Sequence, residues 1–293
     1  MLAVPLALNS TPRSGIPALA IDVWTAHELR RAGFEPDSVW PRAAHPRVLP
    51  STFTALLKEA TKTQEHALLN MMENKKTYGG EMSASANILG KNYVKQVDVV
   101  ISAWNTGPEL MISTKRMDSS FGNNAANRVE ESYGDAKNLR GRHPQAALGF
   151  IYSLNQVAFE PKYRRIADWI VDLLGKLGRE DDAYDAVALI VPDRTADARE
   201  IADDEIDDEK PLVSAGIEPT LDDEENVPAD VGEAEIDEKI DQLPQVALRT
   251  DIVPNSLSPE RFFKIMINRV LDNCPVNFHE RARELRAHPV TVT

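Results

Sequence analysis

Two short apolar runs, Val97–Ser102 and Glu109–Lys115, stand on either side of a Trp104-Asn-Thr-Gly-Pro108 turn. Gly-Pro between runs of this length predicts a β-hairpin. The pattern around it changes period. Leu56, Leu57, Ala60, Ala67, Leu68, Met71 and Met72 repeat at helical spacing, so Thr52–Lys76 is expected to form one long helix, and a shorter one is expected over Ile21–Ala32. Beyond the hairpin, the polar segment Ser119–Tyr133 leads into a helix. Ala146–Tyr152 is unbroken and apolar, as in a buried strand. Tyr163–Leu177 is amphipathic and helical, and Tyr184–Val191 is a fourth strand stopped by Pro192. Ser258-Pro259-Glu260 has the N-cap, first-turn proline and first-turn acid of a helix, which Phe262, Phe263, Ile265, Met266 and Val270 carry on toward Asn273. This order predicts an α/β core with a central mixed β-sheet flanked by helices. It divides the chain into a Pro-rich N-terminal extension (1–50), a core (51–195), an acidic insertion (198–242) and a C-terminal helical segment (243–293) that packs on the core or forms a dimer interface.

Charge changes this picture in one place. The net charge is −13, yet Glu200–Asp241 holds 18 acids against Lys210 and Lys239. Subtracting that −16 leaves +3 on the rest of the chain. The acidic segment has few aromatics and three prolines, a composition expected of disorder, with DNA mimicry as a sharper reading. Elsewhere, basic residues concentrate between Lys115 and Arg165, which is compatible with a phosphate backbone but does not establish one. The single cysteine, Cys274, excludes an internal disulfide and a thiolate cluster. No run approaches the ~20 apolar residues of a membrane span, so a soluble cytoplasmic protein is expected. The six histidines show no His-x-x-x-His spacing, so zinc is not expected.

The hairpin also carries the candidate chemistry. Asp98 interrupts a β-branched run, and an acid in a buried strand needs a partner or a metal. Lys115 closes the second strand, with Ser113 two residues before it and the pair Glu130-Glu131 one helix further on. Acids with a lysine beside them suit a divalent cation and phosphodiester hydrolysis. Glu109 lies roughly 20 Å from Lys115 along an extended strand, too far to share its site unless a bulge intervenes. The amide-rich stretch with Asn123, Asn124, Asn127 and Arg128, together with Arg116, Arg140 and Arg142, offers groups suited to phosphates or base edges, a polar loop being the equal alternative.

Val97-Asp98 followed by Ser113-Thr114-Lys115 resembles the motif of the PD-(D/E)XK nuclease superfamily, with Val for Pro and Ser for the strand acid. A branch of the type II restriction endonucleases carries this serine and moves the acid to the following helix, where Glu130 and Glu131 stand. The resemblance spans Glu81 to Ile151. It implies a restriction-endonuclease-like fold and Mg²⁺ as cofactor. It implies Asp98, Lys115, Ser113 and Glu130 as catalytic groups, and Asp98, Glu130, Glu81 and Glu131 as the candidate metal ligands. Double-stranded DNA would be the substrate, a homodimer the working form, and a cognate methyltransferase or defence-system component a partner. A catalytically inactive, nuclease-like DNA-binding or assembly subunit is the alternative.

Overall fold

The computed structural model describes residues 1–8, 10, 14–43, 46–73, 86–119, 121, 125–193, 243 and 245–288. Glu81, Asn123, Asn124 and the acidic segment Glu200–Asp241 lie outside them. Helices α1 (Val4–Ala7) and α2 (Ile16–Arg31) come first, then β1 (Val39–Trp40), α3 (Ser51–Glu59) and α4 (Lys62–Glu73). A hairpin of β2 (Ala86–Leu89) and β3 (Val94–Val97) leads into the central pair, β4 (Val99–Ala103) and β5 (Gly107–Met117). Next are α5 (Ala125–Arg140), β6 (Ala147–Leu154), α6 (Arg164–Leu177) and β7 (Ala186–Ile190), and finally α7 (Pro259–Asn273) and α8 (Glu280–Ala287).

Five strands form one mixed sheet in the order β1-β4-β5-β6-β7, so the expected α/β architecture is present. β1–β4 and β4–β5 are antiparallel, while β5–β6 and β6–β7 are parallel. The parallel pairs need crossovers, and α5 and α6 supply them. Alternation along the strands makes two cores. Val100, Met111, Phe150, Tyr152, Val187 and Leu189 pack under α5 and α6. On the other face, Val99, Ile101, Leu110, Ile112, Ile151 and Ala188 pack under α2 and α7. Helix α7 is thus a core element, with Phe262, Met266, Val270 and Leu271 buried against the sheet.

The expected long helix Thr52–Lys76 is two helices. Ala60 is extended (ψ 148), and Thr61 starts a new helix. Its backbone N–H donates to Gln64 Oε1 at 3.0 Å, and its hydroxyl accepts from the Gln64 N–H at 3.4 Å. This reciprocal pair is a capping box, which nucleates a helix start inside an otherwise continuous apolar period.

Glycine allows one close approach that matters below. Gly33 ends the α2 turn at φ +97, and a Cβ there would sit 2.8 Å from the Ala282 backbone nitrogen in α8. Gly33→Ala is therefore expected to cost about 1–3 kcal/mol from overpacking alone. At ~2–4 °C per kcal/mol for a chain of this size, a thermal melt should fall by several degrees. An unchanged Tm would show that α8 is free to move. Among the described residues no helix is long and apolar enough to cross a membrane.

Candidate functional site

Asp98 does not lie within a strand. It occupies the bend between β3 and β4, where the chain leaves the small hairpin and enters the main sheet. Its Oδ2 accepts the Thr114 backbone N–H at 2.7 Å, across the gap to β5. Thr114 points to the opposite face from Ser113, toward α2, and its hydroxyl donates to Asp22 Oδ1 at 2.6 Å. One threonine therefore holds two carboxyl groups, one from α2 and one from the β3–β4 bend. Both bonds are as short as charge-assisted ones. They lie near the carboxyl end of β5, the end of a parallel sheet at which α/β proteins place their ligands.

Burial raises the pKa of Asp22 from its ordinary 3.8 to about 7, with the neighbouring Asp98 charge adding and the Thr114 hydrogen bond opposing. Asp98 is raised too, first by burial and further by Asp135, against the Thr114 N–H and the Lys115 and Lys95 charges. Two carboxylates this close in a low dielectric are mutually unfavourable unless a proton or a cation lies with them. Lys115 is half-buried on β5 and acts on Asp98 through space. Among the described residues it forms no ion pair.

The raised Asp22 pKa has a consequence for stability. Between about pH 4 and pH 7 the folded chain binds more protons at Asp22 than the unfolded chain does, so stability falls as pH rises through that window. The slope from this group reaches about 1.4 kcal/mol per pH unit. In the presence of a chelator, the wild-type Tm is expected to drop from pH 5 to pH 8 more steeply than that of Asp22→Asn. Parallel curves for the two proteins would contradict the protonated pair.

The helix acids do not behave as the sequence suggested. Glu130 is exposed and lines a groove with Val129, Tyr133, Leu173, Lys176 and Leu177, on the outer side between α5 and α6. Glu131 is exposed as well. The buried stripe of α5 is Ser132, Asp135, Ala136 and Leu139, so Asp135 is the acid turned toward the sheet. It is already engaged: Lys95 Nζ lies 2.5 Å from Asp135 Oδ2, and the Tyr93 hydroxyl is 3.2 Å from Oδ1. Ser113 is buried on the α5 face and hydrogen-bonds the Tyr184 phenol, which donates to the Ser132 carbonyl at 2.8 Å. Through that phenol it ties β5 to α5.

A bulge does intervene at Glu109. Ile101 pairs with Leu110 and Ser102 with Pro108, leaving Glu109 opposite no residue. A bulge re-aims a side chain, and here Glu109 meets His279, with Nε2 2.7 Å from Oε2, at the far end of β5 from Lys115.

The expected DNA-contacting residues separate into two groups. Asn127 is exposed and Arg128 half-buried in the first turn of α5, and Arg116 is paired with Asp118 at the end of β5. Arg140 and Arg142 sit roughly 20 Å away, at the other end of the same helix. Arg140 ion-pairs with Asp185 at 2.8 Å and donates to the carbonyls of Ala146 and Ala183, which makes it an anchor for the starts of β6 and β7. Arg142 is exposed there, away from Lys115. Three buried polar atoms have no hydrogen-bond partner among the described residues: Thr25 Oγ1, one turn after Asp22; Arg128 Nε; and Gln156 Oε1, just past β6.

Asp22 is legible in the sequence pattern. Asp22, Thr25, Ala26 and Leu29 follow the i, i+3, i+4, i+7 spacing of a buried helix stripe, and an acid in such a stripe calls for a partner. Against known proteins there is no match to report: no family model fits the chain, and no curated protein or solved structure matches it.

Proposed function

We propose that the chain is a Mg²⁺-dependent DNA endonuclease of the PD-(D/E)XK type. One observation carries this reading. Asp98 and a carboxylate from a preceding helix are joined through Thr114, next to Lys115, where antiparallel β4 begins and β5 nears its carboxyl end. The order strand, strand, helix, strand, helix, strand from β4 to β7 also supports the reading.

The donor chemistry fits the metal. Asp22 and Asp98 offer hard carboxylate oxygens, which suit Mg²⁺, and burial above all raises both carboxyl groups, a cost that a bound cation would offset. Both would hold it; Asp22 takes the place given by sequence to Glu81 and to the relocated helix acid. A bound Mg²⁺ supplies Lewis acidity at the scissile phosphate and lowers the pKa of a bound water. Lys115 orients the attacking water and offsets charge developing on the phosphate oxygens. Arg128 and Asn127, at the start of α5, face the same end of the sheet and contact the DNA backbone. Thr114 positions both acids. Cutting both strands at a symmetric site calls for two copies related by a two-fold axis, and a role in restriction or antiviral defence follows from that activity.

A second reading has its own observation. Ser113 leaves β5 without an acid beside Lys115, and Asp135 is held by Lys95, which suits a chain that binds DNA without cutting it. Incubation of the folded protein with supercoiled plasmid separates the two. Nicked and linear products that need Mg²⁺ and vanish with Asp98→Ala support the endonuclease. Salt-dependent binding with intact plasmid supports the alternative.

A further inference from the structure

At the other end of β5 from Lys115, three side chains of different chemistry meet. Glu109 is the bulged residue of the strand and is buried. Cys274 caps the end of α7, and His279 stands at the N-cap of α8. Their ligating atoms, a carboxylate oxygen, the thiol sulfur and an imidazole nitrogen, all lie within 4.8 Å of one another. No other three His, Cys, Asp or Glu residues among the described ones do so.

The surroundings hold this group in place. Arg283 Nη2 donates to the carbonyls of Leu271, Cys274 and Pro275 at 2.7, 2.8 and 3.0 Å, and its Nε donates to Phe278 at 2.8 Å. The loop between α7 and α8 is therefore wrapped round one guanidinium. His279 is held at φ 57, a left-handed conformation uncommon for a residue with a Cβ and a frequent mark of functional positions. Its ring packs edge-on against Phe34 at 5.0 Å. The contact of Gly33 with Ala282 presses the first turn of α8 against the end of α2. Thr106 Oγ1 fixes the second carboxylate oxygen of Glu109 at 2.5 Å. A buried Glu–His hydrogen bond accounts for two of the three residues. It gives no reason for a thiol at the same point.

We infer that Glu109, Cys274 and His279 form a binding site for a thiophilic divalent transition metal, Zn²⁺ before others. Sulfur, imidazole and carboxylate together suit Zn²⁺, whereas Mg²⁺ and Ca²⁺ take oxygen ligands. Carboxylate and thiolate balance the two charges of the ion, leaving no net charge buried. With bonds of ~2.3 Å to sulfur and ~2.1 Å to nitrogen or oxygen, tetrahedral ligand atoms sit about 3.3–3.7 Å apart. The Glu–His contact of 2.7 Å has to open by about 0.7 Å. Three protein ligands leave a fourth position for water. Binding displaces the thiol proton and needs a His279 nitrogen free of hydrogen, so affinity rises with pH. The ion would lock α7 and α8 to the β4–β5 hairpin, apart from the Asp22–Asp98 pair.

Co²⁺ titration of the full-length protein, first stripped with a chelator, tests this. One equivalent is expected to bind with a thiolate-to-cobalt charge-transfer band and four-coordinate d–d absorption, both erased by Zn²⁺, and any Co²⁺ taken up by Asp22 and Asp98 adds no such band. Cys274→Ser should lose the charge-transfer band, and His279→Gln should bind at least tenfold more weakly. Asp98→Ala should bind Co²⁺ with the same spectrum. Failure of the folded wild type to bind Co²⁺ or Zn²⁺ stoichiometrically, or a Co²⁺ spectrum without thiolate charge transfer, overturns the site. Wild-type spectra decide the matter even where a variant does not fold.

Discussion

Asp22→Asn is expected to reduce Mg²⁺-dependent DNA cleavage by about 10²–10⁴-fold, the range for losing one positioned catalytic group. Asparagine keeps the oxygen that accepts the Thr114 hydroxyl at 2.6 Å, so the fold should be retained. The charge removed is one that burial and Asp98 already make unfavourable near neutral pH. The variant should therefore be at least as stable as the parent above about pH 7 while losing activity, a combination that a purely structural residue does not give. Glu130→Gln, on the exposed side of α5, should cut at close to the parental rate. Single-turnover cleavage of a duplex, run beside thermal melts, reads both effects. Full activity in Asp22→Asn, or its loss in Glu130→Gln, would return the metal site to the helix acid suggested by sequence.

Lys115→Ala is the second large effect, again about 10²–10⁴-fold. Lys115 and Asp98 lie at the same end of β4 and β5, and the lysine charge already acts on the carboxyl. Its loss should also raise the Asp98 pKa further, because one of the charges that favours ionisation disappears. The pH–rate profile of the residual activity should accordingly shift to higher pH. Lys115→Arg should recover the profile more than the rate, since a guanidinium restores charge but not the compact donor. Near-parental cutting by Lys115→Ala would remove the lysine from the mechanism.

The hairpin, the two buried strands and α7 were readable because each is bounded by a strong local signal: Gly107-Pro108, Pro192 and the Ser258 cap. The break in the long helix was readable too, since Thr61 and Gln64 have capping-box spacing, but the apolar period across Ala60 masked it. Strand β1 was not readable. Two residues, Val39 and Trp40, have no period of their own and are strand only because β4 offers Ile101 and Val100 to pair with. The site was half legible. Asp98 and Lys115 stand out because charge interrupts apolar runs. Asp22 is 92 residues from its Thr114 partner, and only packing of α2 on the sheet brings them together. The Glu130–Glu131 pair drew the choice of acid by its spacing from Lys115, whereas helix phase, read from Ser132 and Leu139, turns Asp135 inward. Glu109, Cys274 and His279 meet from 170 positions apart, and no local spacing could have signalled it.

Whether Asp22 and Asp98 hold a divalent cation is the point on which the nuclease reading stands. Mn²⁺, a paramagnetic substitute for Mg²⁺, can be titrated into the Cys274→Ser protein, and the free ion counted by electron paramagnetic resonance. One Mn²⁺ is expected to bind competitively with Mg²⁺. Asp22→Asn and Asp98→Asn should each weaken it by more than the 10–100-fold typical of losing an outer partner of a metal ligand. Equal Mn²⁺ binding in all three proteins, or none in the parent, would contradict it.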